Sequence, residues 1–172
     1  RKAFVGDGSS WIWTEWDRHF KAFGFVPILD FIHALTRVYA AAMAGRSQTA
    51  GWEIYRRWIT WTWQGEVAKV IAELAARQQE LGLPTPPNHD TDGDTSPRSI
   101  VSETLTYLQN QQSRMNYPAY RKQGLPITTA HMESTVKLIN RRVKGSEKYW
   151  SETGAEDLLQ LTADHLSTSQ PM

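Results

Sequence analysis

Two short apolar runs decide the fold: Ala3-Phe4-Val5-Gly6-Asp7-Gly8 and, further along, Phe25-Val26-Pro27-Ile28-Leu29-Asp30. Each run predicts a β-strand that ends at an acidic residue. A helix-length segment separates them, and two strands joined by a helix form a parallel pair with a right-handed crossover. The pattern therefore predicts an α/β fold. In it, Asp7 and Asp30 lie at the same carboxyl edge of one sheet, where sites form in open α/β sheets.

The segment between the strands predicts a helix. Ser9 or Ser10 can cap it, Glu15 can act as the capping-box partner, and the helix is expected to run to Phe20. Pro27 lacks a backbone N–H, so the second strand is expected to have this residue at an edge or near its start.

The rest of the chain is predicted to be predominantly helical. The predicted helices span residues 31–44, 48–64, 65–81, 98–112, 131–143 and 154–166. Residues 83–97, rich in Pro and Asp, predict a linker, and the stretch around Tyr117-Pro118 is expected to be irregular. Four tryptophans between residues 52 and 63 are spread around their helix, which indicates burial on more than one side.

Composition excludes several classes of protein. The chain has 172 residues, a formal net charge of +1 and no cysteine. These values argue against a disulfide scaffold, a thiolate zinc site and a polycation that binds nucleic acid by bulk charge. The longest apolar candidate, residues 31–44, is interrupted by His33, Thr36 and Arg37, so no membrane span is expected. A chain that opens on Arg1 directly before a strand is expected to be part of a longer protein.

Asp90, Asp92, Asp94 and Glu103 superficially resemble a calcium-binding loop. Counting from Asp92, Glu103 does fall at the twelfth position of such a loop. However, Pro97 occupies the position that needs glycine. A solvated acidic loop is therefore the interpretation we favour.

Asp30 and His33 stand in an Asp-x-x-His pattern where the second strand passes into a helix. This spacing allows the two side chains to form a metal-binding pair. The alternative is that Asp30 caps the helix and His33 is a buried structural histidine, and the spacing alone favours this alternative.

Glu133 is followed on one helix face by the cations Lys137, Arg141 and Lys144, with Arg142 nearby. One interpretation is an exposed helix with an ordinary Glu–Lys pair. The other is a metal-binding carboxylate beside a basic stripe that contacts DNA phosphates. The pattern leaves both open.

A set of short motifs follows the chain in order. They are Phe4-Val5-Gly6-Asp7-Gly8-Ser9-Ser10-Trp11-Ile12-Trp13, Ile28-Leu29-Asp30-Phe31-Ile32-His33-Ala34-Leu35, Tyr107-Leu108, Arg114-Met115-Asn116-Tyr117, Gly124-Leu125-Pro126-Ile127, Met132-Glu133-Ser134, Arg142-Val143-Lys144-Gly145-Ser146, Trp150-Ser151 and Gly154-Ala155-Glu156. Together they resemble the second half of the DDE-type transposases of bacterial insertion sequences, most closely the Kra-type family. The likeness covers nearly the whole chain apart from the linker.

The resemblance implies a ribonuclease-H-like core in which three carboxylates bind two divalent ions, Mg²⁺ or Mn²⁺. By motif, Asp7 matches the second Asp of the triad and Glu133 matches the final Glu. Asp30 and His33 match a signature that lies near the site but outside the triad. The first Asp would precede this chain, so the expected fold is a truncated core of about two parallel strands with an all-helical insertion.

The resemblance also gives a domain organisation and a cellular setting. Residues 1–44 would form part of the core, residues 45–126 the helical insertion, and residues 127–172 the helices that carry the Glu motif. The expected partners are transposon-end DNA and further copies of the chain, and the expected location is the bacterial cytoplasm at the nucleoid.

One departure concerns the residues before the Glu motif. The family usually has a Gly-Ser-Gly-like turn there, whereas this chain has Thr128-Thr129-Ala130. The exchange removes residues that adopt positive φ easily.

The expected function is therefore metal-dependent DNA cleavage and strand transfer in the complete transposase, with this part inactive alone. The alternatives are a non-catalytic helical module that binds DNA or a protein partner through the Lys137–Lys144 stripe, and a degenerate transposase remnant.

Overall fold

The structure, a computed structural model, describes residues 1–84, 95–130, 134, 136, 137, 149 and 151–168. The chain divides into two compact units, Arg1–Thr129 and Ala130–Met172. The first unit contains the sheet and most of the described helices, and the second contains one long described helix.

The predicted parallel strand pair is confirmed. Strand β1 (Lys2–Gly6) pairs with β2 (Phe25–Leu29), in a register that places Lys2 opposite Phe25 and Gly6 opposite Leu29. Pro27 lies in the middle of β2, opposite Phe4. Because both strands of the described two-stranded sheet are edge strands, the expectation that Pro27 lies at an edge is confirmed. Because the strands run parallel and in register, the residues that follow Gly6 and Leu29 emerge at the same edge of the sheet.

The connection between the strands is helical, but it is not one α-helix. Helix α1 (Ser10–Glu15) continues as a π-helical turn (Trp16–Phe20) and a 3₁₀ turn (Lys21–Phe23), and Gly24 ends it at φ 74°. Ser9 occupies the N-cap position without a side-chain hydrogen bond, so the predicted capping box is wrong.

Six further helices are described, and their bounds are α2 (Phe31–Met43), α3 (Gln48–Trp63), α4 (Val67–Leu81), α5 (Pro97–Gln111), α6 (Tyr117–Lys122) and α7 (Glu152–Thr168). A 3₁₀ turn, Gln112–Arg114, precedes α6. The predominantly helical α/β class is thereby confirmed. The ribonuclease-H-like core stays a prediction.

The core lies where β2 and helices α2 to α5 meet. Helix α2 places Ala34, Val38 and Ala41 on one fully buried face, at helical spacing. It packs against α3 and α5, and α4 packs against α3 and α5 in turn. The sheet is thus accompanied by a packed body of four helices, α2 to α5.

Two expectations about the helical part are wrong. The stretch at Tyr117-Pro118 is not irregular, because Asn116 caps α6 by accepting from the Ala119 N–H, and Pro118 stands in the first turn, where no N–H is needed. Of the four tryptophans in α3, only Trp58 is fully buried. Trp52 and Trp63 are exposed.

Among the described residues, no helix is both long and apolar enough to cross a membrane. Most of the linker, together with Asp90, Asp92 and Asp94 of the rejected calcium loop, lies outside the described residues.

Candidate functional site

A pocket of about 440 Å³ opens at the carboxyl edge of the sheet. We call it the edge pocket, and its lining residues are Asp7, Gly8, Ser9, His33, Thr36, Arg37 and Tyr107. Three elements contribute to it: the turn after β1, the first two turns of α2, and α5. Two of the residues that the sequence singled out, Asp7 and His33, are therefore brought together here.

The turn after β1 presents Asp7 to solvent. Its Oδ1 accepts a hydrogen bond of 2.8 Å from the Ser9 N–H, which fixes the side chain above the start of α1. Within the described part of the chain, Oδ2 accepts no hydrogen bond. An exposed carboxylate with one oxygen anchored and the other available is chemically suited to bind a cation.

Helix α5 fixes the backbone of this turn from the other side. The Tyr107 hydroxyl donates to the Asp7 carbonyl at 2.7 Å, and the Gln111 side-chain amide donates to the Gly8 carbonyl at 3.0 Å. Burial raises the pKa of Tyr107 to about 12, so its hydroxyl remains protonated and available as a donor. These contacts join residues about a hundred positions apart, and nothing in the local sequence pattern indicates them.

Gly8 is required in this turn for two reasons. Its φ of +99° is one that side-chain-bearing residues rarely adopt. A Cβ at this position would also lie 2.6 Å from the Tyr107 ring. The glycine therefore lets α5 approach the Asp7 turn closely.

Asp30 follows β2 at the same edge of the sheet and is 1% exposed. Its Oδ1 accepts from the backbone N–H groups of Ile32 and His33, at 2.8 and 3.1 Å, and so caps α2. Its Oδ2 accepts from the Thr129 N–H at 2.6 Å and the Thr129 hydroxyl at 2.8 Å, with the Thr128 hydroxyl at 3.3 Å. The carboxylate thus joins the start of α2 to a segment about a hundred residues later.

Two opposing effects act on the pKa of Asp30. Burial raises it, but hydrogen bonds from Thr129 and His33 stabilise the charged form, and the net result is a lowered pKa. Asp30 is therefore a satisfied, ionised carboxylate, and the interpretation of this residue as a helix cap is confirmed.

The segment just before the Glu motif does not need positive φ. Among the described residues, only glycines adopt it, so Thr128, Thr129 and Ala130 pass this stretch at ordinary φ. The two threonine hydroxyls supply donors to Asp30 that glycines could not. A backbone bond from the Phe31 N–H to the Ile127 carbonyl, at 2.9 Å, strengthens the same junction.

His33 is not the buried histidine of the alternative interpretation. Its side chain is 47% exposed, and its Nδ1 lies 3.4 Å from Asp30 Oδ1. The imidazole therefore has one nitrogen beside a buried carboxylate while its ring lines the edge pocket.

Arg37 connects the edge pocket to a second depression. Its guanidinium lies over the Tyr107 ring, 5.6 Å from the ring centre, and 3.9 Å from the Glu103 carboxylate. The second depression, of about 380 Å³, shares Arg37 and Tyr107 and continues along α5 past Ser102 and Asn110. In the sequence Arg37 served only to interrupt an apolar run; its place in the pocket follows from its position one turn after His33 on α2.

The remaining predicted site residues fall mostly outside the described part of the chain. Glu133, Arg141, Arg142 and Lys144 lie there, so their predicted roles stay predictions. Lys137 is described, and it is an exposed helical residue of the second unit.

The described residues contain no group of three or more His, Asp or Glu side chains that could hold a metal ion. The edge pocket offers one carboxylate and one imidazole. Such a pair fits part of the coordination shell of a single divalent cation, with the other positions left to water or to further ligands. It does not fit a two-ion site by itself.

No protein-family model, no curated protein and no solved structure matches this chain.

Proposed function

We propose that this chain is part of a DDE-type transposase and that Asp7 binds a divalent cation, Mg²⁺ or Mn²⁺, used to cleave and transfer DNA strands. The observation that carries the proposal is the Asp7 carboxylate itself. It follows a parallel strand at the carboxyl edge of the sheet, it lines an open pocket, and its backbone is anchored by α5.

The other support is the ordered set of motifs. They name Asp7 as the second carboxylate of the triad and Glu133 as the last. When bound, the cations would activate the attacking oxygen and stabilise the leaving oxygen at the scissile phosphate. In the attack a water or DNA 3′-hydroxyl oxygen loses a proton and forms a new P–O bond, while the bond from phosphorus to the leaving strand breaks.

The chain's own residues have separate tasks in this proposal. Asp7 binds the cation through the oxygen that accepts no hydrogen bond from described residues. Tyr107 and Gln111 keep the turn in place, so that little reorganisation is needed when the cation binds. Arg37, at the junction of the two depressions, is available to contact a DNA phosphate.

Cation binding can be tested on the chain as it stands. We expect Mn²⁺, which broadens nearby NMR signals, to broaden the backbone amide signals of Gly8 and Ser9 selectively. Asp7→Asn should remove this selective broadening. Asp17→Asn is the matched control, because Asp17 is an exposed carboxylate paired with Lys21 elsewhere on the surface. Equal broadening in wild type and Asp7→Asn would contradict the proposal.

Catalysis is tested in a complete enzyme that also supplies the first Asp. There, Asp7→Asn and Glu133→Gln should each abolish cleavage of transposon-end DNA and leave DNA binding within about twofold of wild type. Cleavage that survives both substitutions would favour the non-catalytic binding module instead.

A further inference from the structure

We propose that His33 is a second ligand of the cation at Asp7, through its Nε2, and that Asp30 positions the imidazole without touching the cation. This inference rests on the proposed function, because it assumes that Asp7 binds a divalent cation. His33 would add a nitrogen ligand to the cation site, and a nitrogen ligand implies a preference among cations.

Asp30 is excluded as a ligand by its surroundings. It is 1% exposed, and each of its oxygens already accepts hydrogen bonds from backbone or hydroxyl donors. A cation that approached Asp30 would have to displace donors that cap α2 or that hold Thr129. The Asp-x-x-His pattern is therefore not a pair of ligands, although both residues lie at the same edge.

His33 has the opposite environment. The N-terminal turn of α2 places it one turn above the cap, with its side chain half exposed and its ring in the wall of the edge pocket. Its Nδ1 is the nitrogen next to Asp30 Oδ1, which favours the proton on Nδ1. The lone pair of Nε2, on the other side of the ring, is then free to bind a cation.

An imidazole whose second nitrogen faces a carboxylate is a recurrent arrangement at metal sites. The carboxylate fixes the ring's tautomer and orientation and makes the ligating nitrogen more basic. In this chain the carboxylate is itself immobilised by donors from two separate segments, so it holds its position against the ring.

A second contact between a carboxylate and a histidine, at the surface, can be compared with the Asp30–His33 contact. Glu15 Oε2 lies 3.4 Å from His19 Nε2, the same separation as in the Asp30–His33 contact. Both partners of that pair are exposed, and neither lines a described pocket. His19 is therefore a histidine with a similar carboxylate contact but without a neighbouring Asp7.

The donor set determines which cation is expected. A carboxylate oxygen with an imidazole nitrogen suits Mn²⁺ and the later first-row cations, whereas Mg²⁺ prefers oxygen ligands alone. Removing His33 should therefore weaken Mn²⁺ binding and leave Mg²⁺ binding nearly unchanged. A substitution that merely disturbed the fold would weaken both.

The experiment measures the affinities for Mn²⁺ and Mg²⁺ in wild type, His33→Ala, His19→Ala and Asp7→Asn, and follows the histidine ring signals by NMR during the Mn²⁺ titration. We expect Mn²⁺ to broaden the His33 ring signals and not those of His19. His33→Ala should weaken Mn²⁺ binding about tenfold and change Mg²⁺ binding by less than about twofold. His19→Ala should change neither affinity.

Two further variants test the role of Asp30. Asp30→Asn can still cap α2 with its amide oxygen, but it is a weaker partner for the imidazole, so we expect a several-fold loss of Mn²⁺ affinity. Thr129→Val removes one contact to Oδ2 and none to Oδ1, so Mn²⁺ affinity should stay within about twofold. A urea unfolding curve for each variant shows that it is folded under the conditions of the titration.

The outcomes separate this inference from the proposed function. If Asp7→Asn abolishes Mn²⁺ binding while His33→Ala binds Mn²⁺ like wild type, His33 is not a ligand and the proposed function stands. If His33→Ala weakens Mn²⁺ and Mg²⁺ equally, its role is structural and the inference is overturned. If neither Asp7→Asn nor His33→Ala weakens binding, both proposals fail.

Discussion

Asp7 and Asp30 follow adjacent parallel strands at the same edge of one sheet, yet the structure uses them in opposite ways. Asp7 is exposed, and its carboxylate accepts a single hydrogen bond among the described residues. Asp30 is buried and accepts hydrogen bonds from two distant segments at both oxygens. A carboxylate that is already satisfied stabilises the fold, and one that is left available can bind a ligand. Position at the sheet edge does not decide between these roles.

The largest effect expected from this contrast is on stability. Asp30→Ala removes the cap of α2 and the buried carboxylate that accepts from Thr129, so the free energy of unfolding should fall by about 3 kcal/mol. Asp7→Ala should change it by less than about 0.5 kcal/mol, because the side chain is exposed. Urea unfolding of both variants provides the measurement. Similar losses for the two substitutions would remove the distinction between them.

A smaller effect is expected from the turn that presents Asp7. Gly8→Ala must place a Cβ against the Tyr107 ring at a φ of +99°, and we expect a loss of about 2 kcal/mol in thermal or urea unfolding. Gly24→Ala is the control, because its φ is also positive but a Cβ there would meet nothing within 4 Å. It should cost about 1 kcal/mol. If Gly8→Ala costs no more than the control, the approach of α5 to the turn is not tight.

The sequence predicts the strand pair and most helices because their signals are local. Short apolar runs, helical apolar patterns and the acidic residues after the strands each act within a few positions. The π-helical turn at Trp16–Phe20 lies within the segment predicted as an ordinary helix, and its local pattern does not distinguish the two forms. Helix α6 is not predicted, because its start depends on the capping Asn116.

The candidate site is predictable only in part, for a related reason. Asp7, Asp30 and His33 can be found from strand ends and spacing. Their different roles depend on Thr129 and Tyr107, which reach them from about a hundred residues away. The resemblance to transposases with a Gly-Ser-Gly-like turn makes Thr128 and Thr129 look like a loss of backbone freedom. In the folded chain their hydroxyls donate hydrogen bonds to Asp30.

A third effect isolates the contact between α5 and the Asp7 turn. Tyr107→Phe removes the hydrogen bond to the Asp7 carbonyl and retains the ring, so the free energy of unfolding should fall by about 1 kcal/mol. Tyr39→Phe is the matched control, because Tyr39 is an exposed tyrosine whose hydroxyl makes no hydrogen bond within the described part of the chain. It should lie within about 0.5 kcal/mol of wild type. Equal values for the two variants would show that the Tyr107 hydroxyl does not support the turn.

The smallest effect concerns pH, and its sign follows from the state of Asp30. Because the pKa of Asp30 is lower in the folded chain than in the unfolded chain, its charged form contributes stability above the ordinary aspartate pKa of about 4. This contribution should disappear as the pH falls below about 4 and through the folded pKa. The stability difference between wild type and Asp30→Asn, measured by urea unfolding across this range, should therefore shrink with acidification.

Thr129→Val sharpens the same test. The variant lacks the hydroxyl donor that helps to lower the pKa of Asp30, so the lower end of the pH range of the loss should move upward. If the stability difference between wild type and Asp30→Asn instead grows as the pH falls towards 4, the folded pKa is raised and burial outweighs the hydrogen bonds. The charged form of Asp30 would then destabilise the folded chain, and the hydrogen bonds would no longer be a sufficient reason to exclude Asp30 as a cation ligand.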